Sequence, residues 1–343
     1  MITEQHMINK PHSDLATIDY IESVPQAKLR FMYEMMLQIR QAEGKIADLV
    51  SQRKIICPCH LYEGQEAVAV GVCASLERED YVFSTHRSHG HYLAKGGDLK
   101  AMMAELFGRA TGCSKGRGGS MHLAAPDIGF PGSSAIVAGT IPLAVGVALS
   151  FAIQRKENVA VSFFGDGATC EGAFYESLNF AALKKLPVIF ICENNYYSTH
   201  MPISSIQANT DLYKRGAVFN IPSTQIDGND IIEVYQTAKA AIERARNGKG
   251  PALIECLTYR WRGHVGPNYD IDKGLREQLE VDWWMNNCPI KKFEEMLLKE
   301  GIITDYEKRH ITERIRQQVE DAVVFAERGP FPEFEDKISQ VYK

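Results

Sequence analysis

The chain has 343 residues and a formal net charge of -5, and 45% of its residues are hydrophobic. This length allows a large buried core, and the mild acidity, spread along the chain, argues against nucleic acid as a main partner. No apolar run reaches the length of a membrane span, and the N-terminus lacks a secretory hydrophobic region. We therefore expect a cytoplasmic protein with no nucleic-acid and no membrane partner.

The N-terminal part of the chain divides into a polar arm and a helix. Residues 1–25 are polar and aperiodic, and Pro11 and Pro25 indicate an extended arm. Apolar residues then recur at helical spacing from Gln26 to Leu49, which predicts a long amphipathic helix. Its Met-rich face is typical of core or subunit contacts.

The next segment contains a Cys-Pro-Cys triplet followed by a histidine. No second Cys/His pair accompanies Cys57 and Cys59 at zinc spacing, and the eight cysteines show no regular framework. We therefore interpret both as small buried thiols. His60 precedes a helix that we expect to begin near Glu63-Gly64. A packed, hydrogen-bonded side chain and a catalyst are equally open interpretations of His60.

Two polar clusters follow before the next apolar helix. Arg87 stands among three histidines in the sequence THRSHGH, and a planar guanidinium suits phosphate oxygens, although a solvated face would show the same pattern. The sequence TGCSKGRGGSMH is the densest glycine cluster of the chain. Because a predicted helix from Ile141 to Phe151 comes soon after it, we expect a binding loop and not only a flexible one.

The centre of the chain predicts a strand, a helix and a second strand. Apolar and β-branched residues fill 159–164 and 188–192, with helical spacing from Glu171 to Lys185 between them. Because parallel strands joined by a crossover helix end at the same edge, Asp166 and Asn195 should lie side by side there. Their oxygens suit magnesium, and the flanking glycines leave room for a diphosphate. A Gly-Asp-Gly alone is usually a turn, but its pairing with Asn194-Asn195 favours a metal and diphosphate site.

The C-terminal half continues the alternation of strands and helices. We predict strands at 221–226 and 252–257 around a helix at 231–246, with Asp230 in a turn and helix cap, and mainly helices after Leu279. The pattern gives one α/β domain over residues 26–328, with a mostly parallel sheet flanked by helices, and a tail at 329–343. We expect the tail to pack on a neighbouring subunit.

Five motifs in the same order give a family resemblance. They are GQEA at 64–67, HRSHGH, KGRGGSMH, the GDG and NN pair, and TYRWRGH. Together they resemble the α subunit of thiamine diphosphate-dependent 2-oxo acid dehydrogenases, which include the components for pyruvate and branched-chain 2-oxo acids and the α subunit of acetoin dehydrogenase. The likeness extends from about Gln26 to the C-terminus. It implies the thiamine diphosphate-binding fold.

The resemblance also implies roles for particular residues in holding the cofactor. Asp166 and Asn195 would coordinate Mg²⁺ through their side chains, and Tyr197 through its backbone carbonyl. Gly167 and Ala168 would lie against the diphosphate. The resemblance implies four more cofactor-binding residues. His86 and Arg87 are one pair, and Arg87 would bind the diphosphate oxygens. Ala135 and Val137 are the other pair, and their backbone groups would hold the aminopyrimidine ring.

Two histidines match catalytic positions of the family. His60 corresponds to a histidine beside the substrate, and His264 to a loop histidine that contacts cofactor phosphate and orders the channel. The family also implies a β subunit that supplies an activating glutamate, an α2β2 heterotetramer, and a transacylase whose lipoyl arm receives the acyl group.

The sequence departs from the family pattern at four of these places. Ala135 stands where glycine is frequent, His86 where pyruvate-type members often have tyrosine, and Val265 where animal pyruvate enzymes carry a regulatory serine. Pro58 stands where a glycine–aromatic pair is common. THRSHGH is closer to acetoin dehydrogenases. Decarboxylation of a 2-oxo acid is the function we expect, with cleavage of acetoin as the alternative and a non-catalytic scaffold of the same fold as a second one.

Overall fold

A parallel six-stranded sheet lies at the centre of the computed structural model, which describes residue 21 and residues 23–333. The strand order is β2-β1-β3-β4-β8-β7. Its strands are β1 (Tyr81–Ser84), β2 (Gly132–Ser133), β3 (Ala160–Gly165), β4 (Val188–Asn194), β7 (Ser223–Asp227) and β8 (Ala252–Leu257), and an antiparallel ribbon pairs β5 (Tyr197–Ser198) with β6 (Met201–Pro202). The predicted α/β class with a mostly parallel sheet is confirmed.

Helices cover both faces of the sheet. In chain order they are α1 (Gln26–Ser51), α2 (Glu66–Cys73), α3 (His89–Ala94), α4 (Leu99–Leu106), α5 (Thr140–Gln154), α6 (Gly172–Lys184), α7 (Ile203–Ile206), α8 (Lys214–Ala217), α9 (Ile231–Arg246), α10 (Gln278–Asn286), α11 (Pro289–Lys299) and α12 (Asp305–Arg328). Single 3-10 turns occur at Gly119–Met121, Pro126–Ile128 and Asp166–Cys170. Among the described residues, no helix is both long enough and apolar enough to cross a membrane.

Alternation along the central strands builds a core on each face of the sheet. Val161 and Phe163 of β3 join the larger apolar cluster, which includes residues of α1, α2, α9 and α12. Ala160 and Phe164 point to the opposite face, into the cluster formed with α5 and α6. Since both faces of β3 and β4 are covered, these strands are mainly apolar, as is typical of parallel strands between two helix layers.

Most predicted elements occur where the sequence pattern placed them. α9 and β8 have the predicted bounds, and β3, α6 and β4 differ by at most two residues at an end. α2 begins at Glu66 and not near Glu63, because Gly64 has a φ of +100° that no helix contains. β7 begins at Ser223, after Pro222, which has no N–H for the strand ladder.

The register of the sheet fixes which loops meet. Gly165 pairs with Glu193, and Asn194 pairs with Leu257, so β3, β4 and β8 end together at one edge. The loops that follow carry Asp166, Asn195 and Arg260 to that edge. This is the edge at which open α/β sheets bind ligands.

The two predicted terminal segments fall mainly outside the described residues. Residues 1–20 and 22 of the arm and residues 334–343 of the tail are not described, and the domain boundaries stay predictions. The described start of the tail contacts its own chain. The N–H of Ala110 donates to the carbonyl oxygen of Pro330 at 2.9 Å, and the Arg109 guanidinium lies 3.8 Å from the centre of the Phe331 ring.

Candidate functional site

A cleft with a cavity volume of about 180 Å³ opens at the carboxyl edge of the sheet. The cleft is lined by all the predicted site residues, namely His60, His86, Arg87, Ala135, Val137, Asp166, Gly167, Ala168, Asn195, Tyr197 and His264. They come from loops up to about two hundred residues apart in the chain, and the parallel register brings them together. Their proximity is an observation, whereas their individual roles remain predictions.

Asp166 is a buried carboxyl group directly after β3. It is 1% exposed, and its Oδ2 has no hydrogen-bond partner among the described residues. Burial raises the pKa of Asp166 to about 7, since the charged form loses its hydration. A buried carboxylate oxygen without a partner is costly unless something of opposite charge or a proton occupies the position beside it.

Asn195 lies on the neighbouring loop with its side-chain oxygen near the same cleft. Its Nδ2 donates a hydrogen bond to Oε1 of Gln65 at 3.1 Å, and this bond orients the amide group. In that orientation Oδ1 accepts only a long hydrogen bond, of 3.4 Å, from the N–H of Tyr197. Tyr196 between them has a φ of +68°, and this left-handed residue sets the turn that follows β4. The donor set offered here, a carboxylate with an amide oxygen, is the type that Mg²⁺ prefers.

The two glycines around Asp166 differ in what they allow. A Cβ added at Gly165 would meet no atom within 4 Å, whereas one at Gly167 would lie 2.3 Å from Oγ of Ser198. Gly167 is therefore required by the chain's own packing against β5. Gly165 faces open space, which fits the prediction that it leaves room for a ligand.

Arg87 is a buried guanidinium that has no carboxylate partner among the described residues. It is 5% exposed and donates to the carbonyl oxygens of Leu61 at 2.6 Å and His264 at 3.1 Å. Burial, together with the nearby Arg260 charge, lowers the pKa of Arg87 to about 9. Arg260 is paired with Asp270 at 3.6 Å, whereas Arg87 has no ion pair within the described part of the chain, so Arg87 is the guanidinium that favours an anionic ligand in the cleft.

Three histidine rings meet at the mouth of the site. The ring centre of His60 lies 4.6 Å from that of His86 and 4.9 Å from that of His264. Burial and then the charge of Arg87 lower the pKa of His60 to about 3, and the same causes lower the pKa of His86 to about 2 and of His264 to about 3. All three rings are thus neutral near pH 7. Although three imidazoles could hold a metal ion, the neighbouring guanidinium charges of Arg87 and Arg260 oppose a cation there.

One arginine holds the loop that carries His264 at three of its carbonyl oxygens. Arg276 donates to the carbonyl oxygens of Arg260 at 2.7 Å, Trp261 at 2.9 Å and Tyr269 at 2.7 Å. The N–H of His264 itself donates to Oδ2 of Asp270 at 3.1 Å. These bonds fix the backbone of the loop, so that the His264 ring has a defined place over the cleft.

Sequence reasoning missed several polar residues of the cleft. Gln65 orients Asn195, and Thr85 and Thr199 line the walls. Arg260, paired with Asp270, lies close enough to contribute to the lowered pKa of His60. Glu193, two residues before Asn195, accepts a short hydrogen bond from the hydroxyl of Tyr62, and its Oε1 lies 3.2 Å from Nε2 of His91. The available signal was a glutamate inside an otherwise apolar strand, where a charge needs a buried partner.

Fold and cleft together define a class of protein, the α/β proteins that hold a ligand at the carboxyl edge of a parallel sheet. The unpartnered Asp166 oxygen, the amide of Asn195 and the open space at Gly165 fit a magnesium ion with a diphosphate. Residues 33–335 match the family described as "Dehydrogenase E1 component", and the chain belongs to this family of α-type subunits of thiamine diphosphate-dependent oxidoreductases acting on 2-oxo acids or acetoin.

Individual relatives agree with this membership over nearly their whole length. The chain is 46% identical to the α subunit of acetoin:2,6-dichlorophenolindophenol oxidoreductase of Bacillus subtilis, over 93% of this chain and 95% of the relative. It is 41% identical to the α subunit of the pyruvate dehydrogenase E1 component of Porphyra purpurea, over 89% of this chain and 90% of the relative. The corresponding subunit of Rhizobium meliloti is also 41% identical, over 90% and 87%.

Proposed function

We propose that this chain binds thiamine diphosphate through Mg²⁺ in the cleft and, paired with a β subunit, decarboxylates a 2-oxo acid and passes the acyl group to a lipoyl-bearing transacylase. The observation that carries the proposal is the buried Asp166 oxygen without a partner beside the Asn195 amide. A carboxylate kept in such a position is costly in the empty cleft and favourable once a cation binds.

The residues of this chain divide the work of holding the cofactor. Asp166, Asn195 and the carbonyl oxygen of Tyr197 would hold the metal, while Gly167 and Ala168 would lie against the diphosphate. Arg87 would bind diphosphate oxygens, since its guanidinium donates only to carbonyl oxygens and forms no ion pair within the described chain. When bound, thiamine diphosphate supplies a nucleophilic carbon and an electron sink for breaking a bond next to a carbonyl group.

The histidines would handle the substrate and its protons. His60 and His264 are neutral at the working pH, so each can donate one hydrogen bond to a substrate oxygen and accept one at its other nitrogen. His60 Nδ1 is buried and has no partner among the described residues. Together with the positive charge of Arg87 and Arg260, this arrangement favours a substrate that carries a carboxylate.

Exposed apolar side chains support a subunit partner. Leu143 on α5 is 57% exposed and Leu183 on α6 is 72% exposed, and Ile136 and Val137 are exposed beside the cleft. Apolar side chains gathered on two packed helices and at a cleft rim are typical of a protein interface. We assign this surface to the β subunit of an α2β2 assembly, and we expect activity only with that subunit. The cytoplasmic location also stays a prediction.

The test is to co-express this chain with the β subunit encoded nearest to it and to measure reduction of an artificial electron acceptor. The assay contains thiamine diphosphate and Mg²⁺, with pyruvate, branched-chain 2-oxo acids and acetoin offered separately. Turnover of a 2-oxo acid by the pair, and none by this chain alone, is the expected result. Equal turnover by the isolated chain would contradict the proposed assembly.

Cleavage of acetoin to acetaldehyde and an acetyl group is the second candidate. It is favoured by the THRSHGH sequence with His86, and by the relative that is 46% identical, whose name specifies acetoin. Acetoin has no carboxylate, so the histidines would then meet only its hydroxyl and carbonyl oxygens. Turnover of acetoin, with no turnover of pyruvate or of the branched-chain 2-oxo acids, selects this candidate in the same assay. A non-catalytic scaffold is disfavoured because Asp166, Asn195, Arg87 and His264 are all present in one cleft.

A further inference from the structure

The Cys57-Pro58-Cys59 triplet lies beside the active-site cleft, and the proposed function gives it no role. The two Sγ atoms are 3.9 Å apart, although the sequence alone suggested two inert buried thiols. Cys59 is 1% exposed, whereas Cys57 is half-buried and follows Ile56, which is 90% exposed. Cys57 is therefore the more accessible residue of the pair.

The surroundings of the two sulfurs make them unequal. A hydrogen bond from the Cys59 thiol lowers the pKa of Cys57 to about 7, and the backbone of Ser120 and the charge of His89 add to this. The pKa of Cys59 is raised, first by that same hydrogen bond and then by burial. A partly accessible thiolate next to a buried, protonated thiol is the arrangement in which one sulfur attacks an oxidant and the other resolves the product.

The triplet also contacts three parts of the candidate site. The carbonyl oxygen of Cys59 accepts the N–H of Gly266 at 2.8 Å, in the loop that carries His264. A Cβ on Gly119 would lie 3.3 Å from Cβ of Cys57, so the glycine-rich loop packs directly against this residue. His60, whose ring meets His86 and His264, is the next residue after Cys59.

We propose that Cys57 and Cys59 form a reversible disulfide in response to a peroxide, and that this bond displaces His60 and lowers activity. The Cys57 thiolate attacks the peroxide and becomes a sulfenic acid, with release of hydroxide or alkoxide. The Cys59 thiol then attacks that sulfur, forms the S–S bond and releases water. Two thiols are oxidised while one peroxide is reduced, and a dithiol reductant reverses the change. A disulfide needs the sulfurs about 2 Å apart, so the triplet must contract when it forms.

The chemical test is peptide mapping of the full chain, alone and with its β subunit. After hydrogen peroxide and alkylation of free thiols, digestion with trypsin and chymotrypsin cuts after Lys54 and Tyr62. The resulting peptide contains Cys57 and Cys59 but not Cys73. After peroxide, we expect this peptide to carry no alkyl group and to be two hydrogen atoms lighter than the peptide with two free thiols. If dithiothreitol is added before the alkylation, both cysteines should be alkylated.

Two variants separate this pair from other thiols. Cys57→Ser should prevent the change in the peptide, whereas Cys170→Ser, which removes an exposed thiol elsewhere, should leave it unaltered. The proposal is overturned if both thiols of the wild-type peptide remain alkylatable after peroxide, if Cys57 is found only as sulfinic or sulfonic acid, or if it pairs with a different cysteine. These mass measurements do not depend on the proposed function.

Activity measures the consequence for the site. In the co-expressed pair, we expect peroxide to lower turnover about 10-fold to 100-fold, since small displacements of an active-site group have effects of this size. Dithiothreitol should restore the wild type, and Cys59→Ser should retain most of its turnover after the same treatment. Oxidation of the peptide with unchanged turnover would contradict the proposed displacement of His60.

Discussion

At the scale of single residues, Asp166 is the side chain on which the metal site depends most. Its Oδ2 has no partner among the described residues, so replacement by alanine should not harm the fold, but it removes a direct metal ligand. We expect Asp166→Ala to weaken Mg²⁺-dependent binding of thiamine diphosphate at least about 100-fold, beyond the range for groups that only support a ligand.

Isothermal titration calorimetry of the co-expressed pair, with and without Mg²⁺, measures this effect. Asp48→Ala is a matched control, because Asp48 is an exposed aspartate on α1, away from the cleft. Retained Mg²⁺-dependent binding in Asp166→Ala, with affinity equal to the control, would show that the metal site lies elsewhere.

The burial of His60 predicts how the free energy of unfolding should depend on pH. Its pKa is lowered to about 3 in the fold, from an ordinary value of 6.5, so the unfolded chain takes up a proton that the folded chain does not. The resulting stability is present above pH 6.5 and is lost as pH falls toward the folded pKa. When the pH falls from 7 to 5, the free energy of unfolding should drop less in His60→Asn than in the wild type. We expect the two drops to differ by about 1 kcal/mol, a figure that already allows for partial solvent screening at His60.

Urea unfolding of the isolated chain at the two pH values measures this difference. His310→Asn on α12 removes an exposed histidine and should behave like the wild type. If His60→Asn loses as much unfolding free energy on acidification as the wild type does, then the His60 ring is not held neutral by its surroundings.

At the scale of elements, one carboxylate organises the glycine-rich loop. Glu105, at the end of α4, is 1% exposed and accepts four backbone N–H groups, from Ser114 and Gly116 at 2.8 Å, Gly118 at 2.7 Å and Gly119 at 3.1 Å. Without it these donors lose their partner, which costs about 3 kcal/mol locally. We expect Glu105→Ala to open the loop.

Limited proteolysis measures the opening, since the loop offers Lys115 and Arg117 to trypsin. Cleavage after these residues should be faster in Glu105→Ala, and also in Glu105→Gln, whose amide hydrogens would face the loop donors. Glu79→Ala, at an exposed glutamate outside the loop, serves as the control. Equal cleavage rates in all four proteins would mean that the loop keeps its shape without the carboxylate.

Long periodic elements were predictable from the sequence because their burial repeats along the chain. α6 places apolar residues at helical spacing, whereas β3 and β4 are short apolar runs rich in β-branched and aromatic residues between chain breakers. β1, with four residues, and β2, with two, were not predicted, since strands this short show no period. Their pairing places the THRSHGH segment at the edge of the sheet, and only the tertiary structure shows this.

The candidate site was predictable to a similar and limited extent. Asp166 and Asn195 follow from the rule that parallel strands end at one edge, and Arg87 follows from the affinity of a guanidinium for phosphate oxygens. The catalytic roles of His60 and His264 came from the family resemblance. The Gln65 contact with Asn195 could not be predicted, because it joins two loops 130 residues apart through a hydrogen bond that leaves no periodic trace.

At the scale of the whole molecule, the apolar side chains exposed on α5 and α6 locate the proposed β-subunit contact. Leu183 is 72% exposed and is the most accessible large apolar side chain of α6. A glutamate at position 183 would place a charge within the proposed interface, and burying that charge without a partner costs several kcal/mol. We therefore expect Leu183→Glu to reduce the β subunit recovered with this chain by at least about 10-fold.

Val324→Glu provides the matched control, because Val324 is 42% exposed on α12, which packs on α1 and lies in the other helix layer. Both variants change exposed residues, so the isolated chains should unfold within about 0.5 kcal/mol of the wild type. Size-exclusion chromatography of the co-expressed subunits then compares assembly directly. If Leu183→Glu assembles normally while Val324→Glu does not, the β subunit covers the α12 side of the sheet, and the cleft would be closed by something other than the surface of α5 and α6.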